Sequence, residues 1–172
     1  MNAMKPKVRV GGRFEVECFG PDGQLKWQDS FENLVVTEGL EYILGILLKG
    51  ETPSDPWYIG LTDGTPTVDA GDSLTGTHAG WTEVTAYSES TRQEFVDGAI
   101  STNEVDNSAS KASFSINSDA TTIGGAFLAD DSTQGANGTL LCVGAFTGGD
   151  KTADNGDTLT VQYTFGAADD GA

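Results

Sequence analysis

Apolar residues in this chain recur at every second position, over short runs that end in glycine-rich turns. The run Thr158 to Phe165 shows it most cleanly. Leu159, Val161, Tyr163 and Phe165 alternate with Thr158, Thr160, Gln162 and Thr164. A period of two sends successive side chains to opposite faces, so such a segment can bury one face only as a strand. The run Arg13 to Phe19 repeats the pattern, with Phe14, Val16 and Cys18 on one face and Glu15 and Glu17 on the other. Gly20-Pro21-Asp22-Gly23 is turn chemistry, and Leu25 to Gln28 alternates back, which predicts an N-terminal hairpin. Trp57 to Leu61, Trp81 to Tyr87, Phe95-Val96, Ala112 to Ile116 and Thr122 to Leu128 read as further short strands. Leu140 to Phe146 is nearly all apolar, as a strand covered on both faces would be. Asn137-Gly138 and Asn155-Gly156 are hairpin signals between them.

One segment departs from this period. Leu40, Ile43, Leu44 and Leu47 recur at helical spacing. Thr37 is positioned to cap, Glu38 and Glu41 suit the N-terminal dipole, and Lys49-Gly50 supplies a stop. The spacing predicts one short helix over about 38–49. Tyr42, Ile46 and Leu48 widen its apolar surface beyond a single stripe, so it must be largely covered. Either it plugs the open end of a sheet packing or it docks on another subunit. Residues 62–80 form a long polar loop, of the kind that is usually functional or mobile. Together these elements predict an all-β antiparallel sandwich or barrel, with Greek-key connections and one covering helix. No internal repeat of fixed period is visible.

The 172 residues suffice for one domain. Its expected limits are 13–166, with a basic arm at 1–12 and a frayed tail at 167–172. Charge marks the arm. The chain carries 9 basic and 26 acidic side chains, a net −17. Residues 1–50 hold 6 of the basic and 7 of the acidic ones, which leaves 3 basic and 19 acidic for residues 51–172. Lys5, Lys7, Arg9 and Arg13 are the candidate contact residues of the arm. The acidic body repels phosphate and anionic lipid, so neither nucleic acid nor a membrane is expected as a partner. No run of about 18 apolar residues exists to span a bilayer. The N-terminus lacks the apolar core of a secretory signal.

Chemistry-bearing motifs are scarce. His78 is the single histidine, and a lone histidine beside Trp81 is more often a packing residue than a base. No nucleophile elbow, zinc-protease motif, P-loop or dinucleotide fingerprint is present. Cys18 and Cys142 read as small buried hydrophobes more readily than as a disulfide. With 26 acidic residues, pairs of carboxylates carry no specific signal for glycoside hydrolysis. Asp150 to Asp157 gathers carboxylates in a glycine turn, but without the spacing of a calcium loop. Trp27, Trp57 and Trp81 sit at strand positions, where core burial is expected over sugar stacking. Asn137-Gly138-Thr139 matches a glycosylation sequon and reads as a turn. No catalytic, metal or cofactor-binding residue is assigned.

A set of segments nevertheless resembles one class of protein. These are Asn33 to Leu44, Trp57 to Leu61, His78 to Glu83, Ile123 to Leu128, Gly138 to Leu141 and Gly156 to Val161. Over about residues 13–165 they resemble small structural proteins of tailed bacteriophages, most like auxiliary capsid proteins that decorate or cement the head. Tail and fibre components, with a receptor- or glycan-binding role, are the nearest alternative. The resemblance implies a non-enzymatic virion protein without cofactor, made in the host cytoplasm and seated on the outer capsid surface. It would bind the major capsid protein there, bridging neighbouring subunits as a small oligomer of itself.

Overall fold

The structure, a computed structural model, describes residues 8–76 and 81–169. Thirteen strands and one helix follow in order: β1 (Val8–Phe19), β2 (Leu25–Glu32), β3 (Leu34–Val35), α1 (Thr37–Leu44), β4 (Tyr58–Asp63), β5 (Thr82–Glu83), β6 (Gln93–Glu94), β7 (Glu104–Asp106), β8 (Ala112–Ser115), β9 (Thr121–Ile123), β10 (Gly125–Ala129), β11 (Leu140–Ala145), β12 (Lys151–Ala153) and β13 (Thr158–Asp169). A π-helical turn, Gly45–Lys49, continues α1. All the strand pairs are antiparallel. One main sheet runs β2-β1-β13-β7, with β8 also on β13; the other runs β3-β11-β10-β4-β5, with β6 also on β4; β9 and β12 pair with each other in a separate two-stranded sheet. Strands distant in sequence lie side by side, β1 with β13 and β4 with β10, so the connections cross as expected of an all-β sandwich.

The alternation in the sequence places the core. Phe14, Val16 and Cys18 of β1 and Leu159, Val161 and Tyr163 of β13 are fully buried. They meet Ile59 and Leu61 of β4, Ala126 and Leu128 of β10, and Leu141 and Cys142 of β11. Phe14 stacks on Tyr163 with ring centroids 4.3 Å apart. A second cluster lies on the outer side of the other sheet. There Phe127, Ala129, Leu140 and Val143 pack under Val36, Leu74 and Trp81. This cover is why β10 and β11 are apolar on both faces. The described part of the long loop supplies it: Leu74 is buried, and Thr37 N–H donates to Ala70 O at 2.7 Å. Residues 64–76 are therefore a structural layer over the sheet.

Five expectations change. Strand β1 starts at Val8, inside the expected 1–12 arm, because Val8 to Gly12 pair with Asp169 to Phe165. Strand β13 likewise runs to Asp169, through the first three residues of the expected tail. The helix is α-helical only to Leu44 and then widens, ending at Gly50 with φ +72°. Its cap is Val36, with no side-chain hydrogen bond, while Glu38 reaches across to accept from Leu140 N–H at 2.5 Å. Above all, it is not covered on the expected face. Gly39 lies against the Leu141 backbone so closely that a Cβ there would strike Leu141 O. This contact turns Gly39 and Ile43 inward and leaves Leu40, Leu44, Leu47 and Leu48 exposed.

Two buried charges tie distant loops together. Arg92, 1% exposed, grips Glu83 with two parallel hydrogen bonds, each 2.9 Å. It also donates to the carbonyls of Asp131, Gly135 and Asn137, and lies over the Phe127 ring. Five donors thus meet acceptors, the condition under which a buried guanidinium is tolerated. Asp29 of β2 accepts from the Thr147 hydroxyl at 2.8 Å and from the N–H groups of Ser30, Thr147 and Gly148. Burial alone would raise its carboxyl, but these hydrogen bonds outweigh burial and hold it below 3.8.

Replacing Arg92 with Met leaves the buried Glu83 carboxylate without its cation, though the Gly135 N–H still donates to it, strands three carbonyls, and should lower unfolding free energy in urea by about 3–5 kcal/mol. Asp29 stabilises the fold fully above its ordinary value of 3.8, and that contribution is lost as pH falls through the lowered native value. Asp29→Asn should therefore cost about 1–3 kcal/mol at neutral pH and flatten the fall in stability below pH 4. Urea titrations at several pH values check both.

Candidate functional site

Reactive side chains are held in inert settings. Cys18 and Cys142 are both free and buried. Burial pushes each thiol up to about 12, with the Asp157 charge adding to the effect at Cys18. Cys142 donates to the Tyr163 hydroxyl at 3.2 Å. Neither thiol ionises near neutral pH, so neither is poised as a nucleophile. His78 lies outside the described residues. The acidic turn before β13 already holds a cation of the chain's own: Lys26 Nζ sits 2.6 Å from Asp157 and 3.0 Å from Asp154. Among the described residues no group of three or more His, Cys, Asp or Glu side chains is arranged to hold a metal ion.

The tryptophans do not form a stacking platform. Trp81 is buried, its ring 5.4 Å from Phe127. Trp27 is half-buried, edge-on to Phe146, and its indole N–H donates to Thr152 O at 2.8 Å. Trp57 is half-buried and edge-on to Tyr42. The Asn137 side chain bonds to Gln134 O within its own turn.

What the fold does present is contact surface. Strand β2 ends at Glu32, opposite Arg13, whereas β1 extends back to Val8. Apart from the Asn33 N–H bond to Gly12 O, residues 8–12 have β13 on one side and no strand on the other among the described residues. An open edge of this kind can accept a further strand. Arg9 and Arg13 line a groove of about 590 Å³ along it, with Glu15, Glu32 and Glu104. Arg13 is tied down, donating to Ser30 Oγ at 2.5 Å and lying 3.6 Å from Glu15. Lys5 and Lys7 lie outside the described residues. Of the four expected contact residues, the structure thus places two on β1: Arg9 on its open stretch, and Arg13 where β2 already pairs with it.

Two apolar surfaces are exposed, and only the first of them escaped the sequence reading. Val8 and Ile100 are exposed and line an apolar groove of about 470 Å³ with Phe165 and Val105. Ile100 stands alone in a polar turn, so no periodicity marks it. The second surface is the outer face of the helix, where Leu47 and Leu48 are 72% and 80% exposed. The apolar residues all around that helix were its signal.

These features define an all-β domain of two packed sheets, with an open strand edge and exposed apolar residues. A family described as Podophage GP4 fiber I protein gp80 matches residues 39–164. That is well over half of the chain, and the chain belongs to this family: it is a phage structural protein. No curated protein and no solved structure matches it. The match begins within α1, so Arg9 and Arg13 lie outside it.

The packing of the three indoles sets an optical expectation. Acrylamide should quench the Trp27 and Trp57 emission in part and leave a protected fraction from Trp81. Emission quenched fully, with free-indole efficiency, would contradict the buried position of that ring.

Proposed function

We propose that the chain is a non-catalytic component of a phage tail fibre, acting by adhesion to neighbouring virion proteins. The observation that carries this is the family match over residues 39–164, whose description names a fibre protein. The architecture supports it. A rigid sandwich offers an open edge at β1 and apolar faces at its surface, which suits permanent contacts between subunits. The stacking of Phe14 on Tyr163 and the buried Arg92 network keep those surfaces in fixed relation. The inert thiols and the lysine-filled acidic turn fit a protein that binds and does not turn over substrate.

Seating on the outer capsid surface, with the major capsid protein as partner, is the second reading. The charge distribution favours it, since a body carrying 19 acidic and 3 basic residues over 51–172 suits an outward-facing position. Under either reading the protein is part of the virion.

Gold-labelled antibody against the protein, imaged on intact particles by electron microscopy, separates the two. Label on appendages of the tail is the expected result. Label spread evenly over the head would favour capsid decoration, and unlabelled particles would remove the virion assignment.

A further inference from the structure

We propose that Asn137 is a site of spontaneous covalent modification, converting to aspartate and isoaspartate in the folded protein, and doing so ahead of Asn155. The chain contains two Asn-Gly pairs, Asn137-Gly138 and Asn155-Gly156. In such a pair the main-chain nitrogen of the glycine can attack the asparagine amide, because the glycine has no Cβ to obstruct the five-membered ring that forms. Both pairs lie in turns with the glycine at positive φ, +88° at Gly138 and +90° at Gly156. Both asparagines are exposed. The dipeptides alone therefore rank the two sites equal; their surroundings do not.

The attacking species is the glycine nitrogen after it has lost its proton, so whatever holds that proton sets the rate. The Gly156 N–H donates to Ile116 O at 2.9 Å. Deprotonation there forfeits a hydrogen bond and sets a negative nitrogen against a carbonyl oxygen. The Gly138 N–H donates to no group among the described residues, so its proton leaves without breaking a bond within the protein.

The same peptide unit has a second advantage. Its carbonyl, Asn137 O, accepts from Arg92 Nη1 at 2.8 Å. When Gly138 loses its proton the charge spreads onto that oxygen, and a guanidinium bonded to it stabilises the anion. Arg92 is buried, so water screens this interaction little. Glu83 takes the Nε and Nη2 of Arg92 and leaves Nη1 to the carbonyls. Asp130 and Asp131 lie against Gly138 and oppose the anion, but each carboxylate already accepts a main-chain N–H, from Thr139 and Thr133 respectively. The Asn137 side chain is held by one exposed hydrogen bond, from Nδ2 to Gln134 O at 2.8 Å.

The reaction needs only water. Hydroxide takes the Gly138 proton, the nitrogen bonds to Asn137 Cγ, and the Cγ–Nδ2 bond breaks with release of ammonia. Water then opens the ring at either carbonyl. One opening leaves aspartate; the other leaves isoaspartate, with the main chain rerouted through Cγ. Either product adds a negative charge to the turn.

The inference concerns the chain's own chemistry and does not depend on its place in the virion. Full-length protein held at mildly alkaline pH and followed by peptide mass spectrometry tests it. In the folded state the peptide with Asn137 should gain the mass difference between an amide and an acid roughly tenfold faster than the peptide with Asn155. In urea, where the Ile116 and Arg92 bonds are gone, the two rates should agree within about twofold. Enzymatic methylation of isoaspartate should label the aged folded protein. Asn137→Gln, whose longer side chain would have to close a six-membered ring, should suppress the early label. Asn155 converting as fast as Asn137 in the folded protein, early label that persists in Asn137→Gln, or an Asn137 that stays intact while the unfolded chain converts would each overturn the site. A tenfold bias that persists in urea would overturn its structural cause.

Discussion

Twelve consecutive residue pairs, from Val8 opposite Asp169 to Phe19 opposite Thr158, join the first long strand to the last. The rest of the molecule is arranged around this ladder. On one side β1 carries β2; on the other β13 carries β8 at its start and β7 towards its end. Its inner face contributes Phe14, Val16, Cys18, Leu159, Val161 and Tyr163, all fully buried, against which the second sheet packs. Because the partners are separated by the whole chain, little of the sandwich can form before the C-terminal strand is available. Such non-local pairing is slow to form, and it ties every connecting segment into one unit once made.

The second sheet depends on other constraints. Its strands β10 and β11 are apolar on both faces, so it needs a cover on the outer side as well as the core. The loop with Leu74 and the segment around Trp81 provide that cover, and Arg92 fastens the loops beside it. Arg92 is a costly residue to bury, and its five hydrogen bonds link positions 83, 131, 135 and 137. The Lys26 contacts with Asp154 and Asp157 do similar work at the other sheet, where they join the first hairpin to the turn before β13. An excess of acid is thus organised locally around the few cations available.

Local pattern carried much of this. The alternation in β1 and β13, the double-sided apolar run of β11 and the turn at Gly20 to Gly23 all stand where the sequence places them. The helix shows the limit. Periodicity reports that an apolar stripe exists at Leu40, Leu44 and Leu47, not which side the rest of the fold will cover. That is decided by Gly39, whose lack of a side chain lets the backbone approach Leu141. The Arg9 and Arg13 region shows a second limit. Basic charge near the N-terminus suggested an arm, but the strand continues to Val8 because residues 165–169 are there to pair with it. The partners of Arg92 and Lys26 lie up to 131 residues away, beyond any local signal.

The interior is closed by one long ladder, and the open edge and apolar faces lie at or beside the ends of that ladder and on the helix. Whether the β1–β13 pairing is the structural spine can be tested by native-state hydrogen exchange followed by mass spectrometry. Amides of Phe14 to Phe19 and Thr158 to Tyr163 should be among the last to exchange and should do so together, through global unfolding. Early exchange of either strand, while the β4–β10–β11 sheet stays protected, would contradict that account.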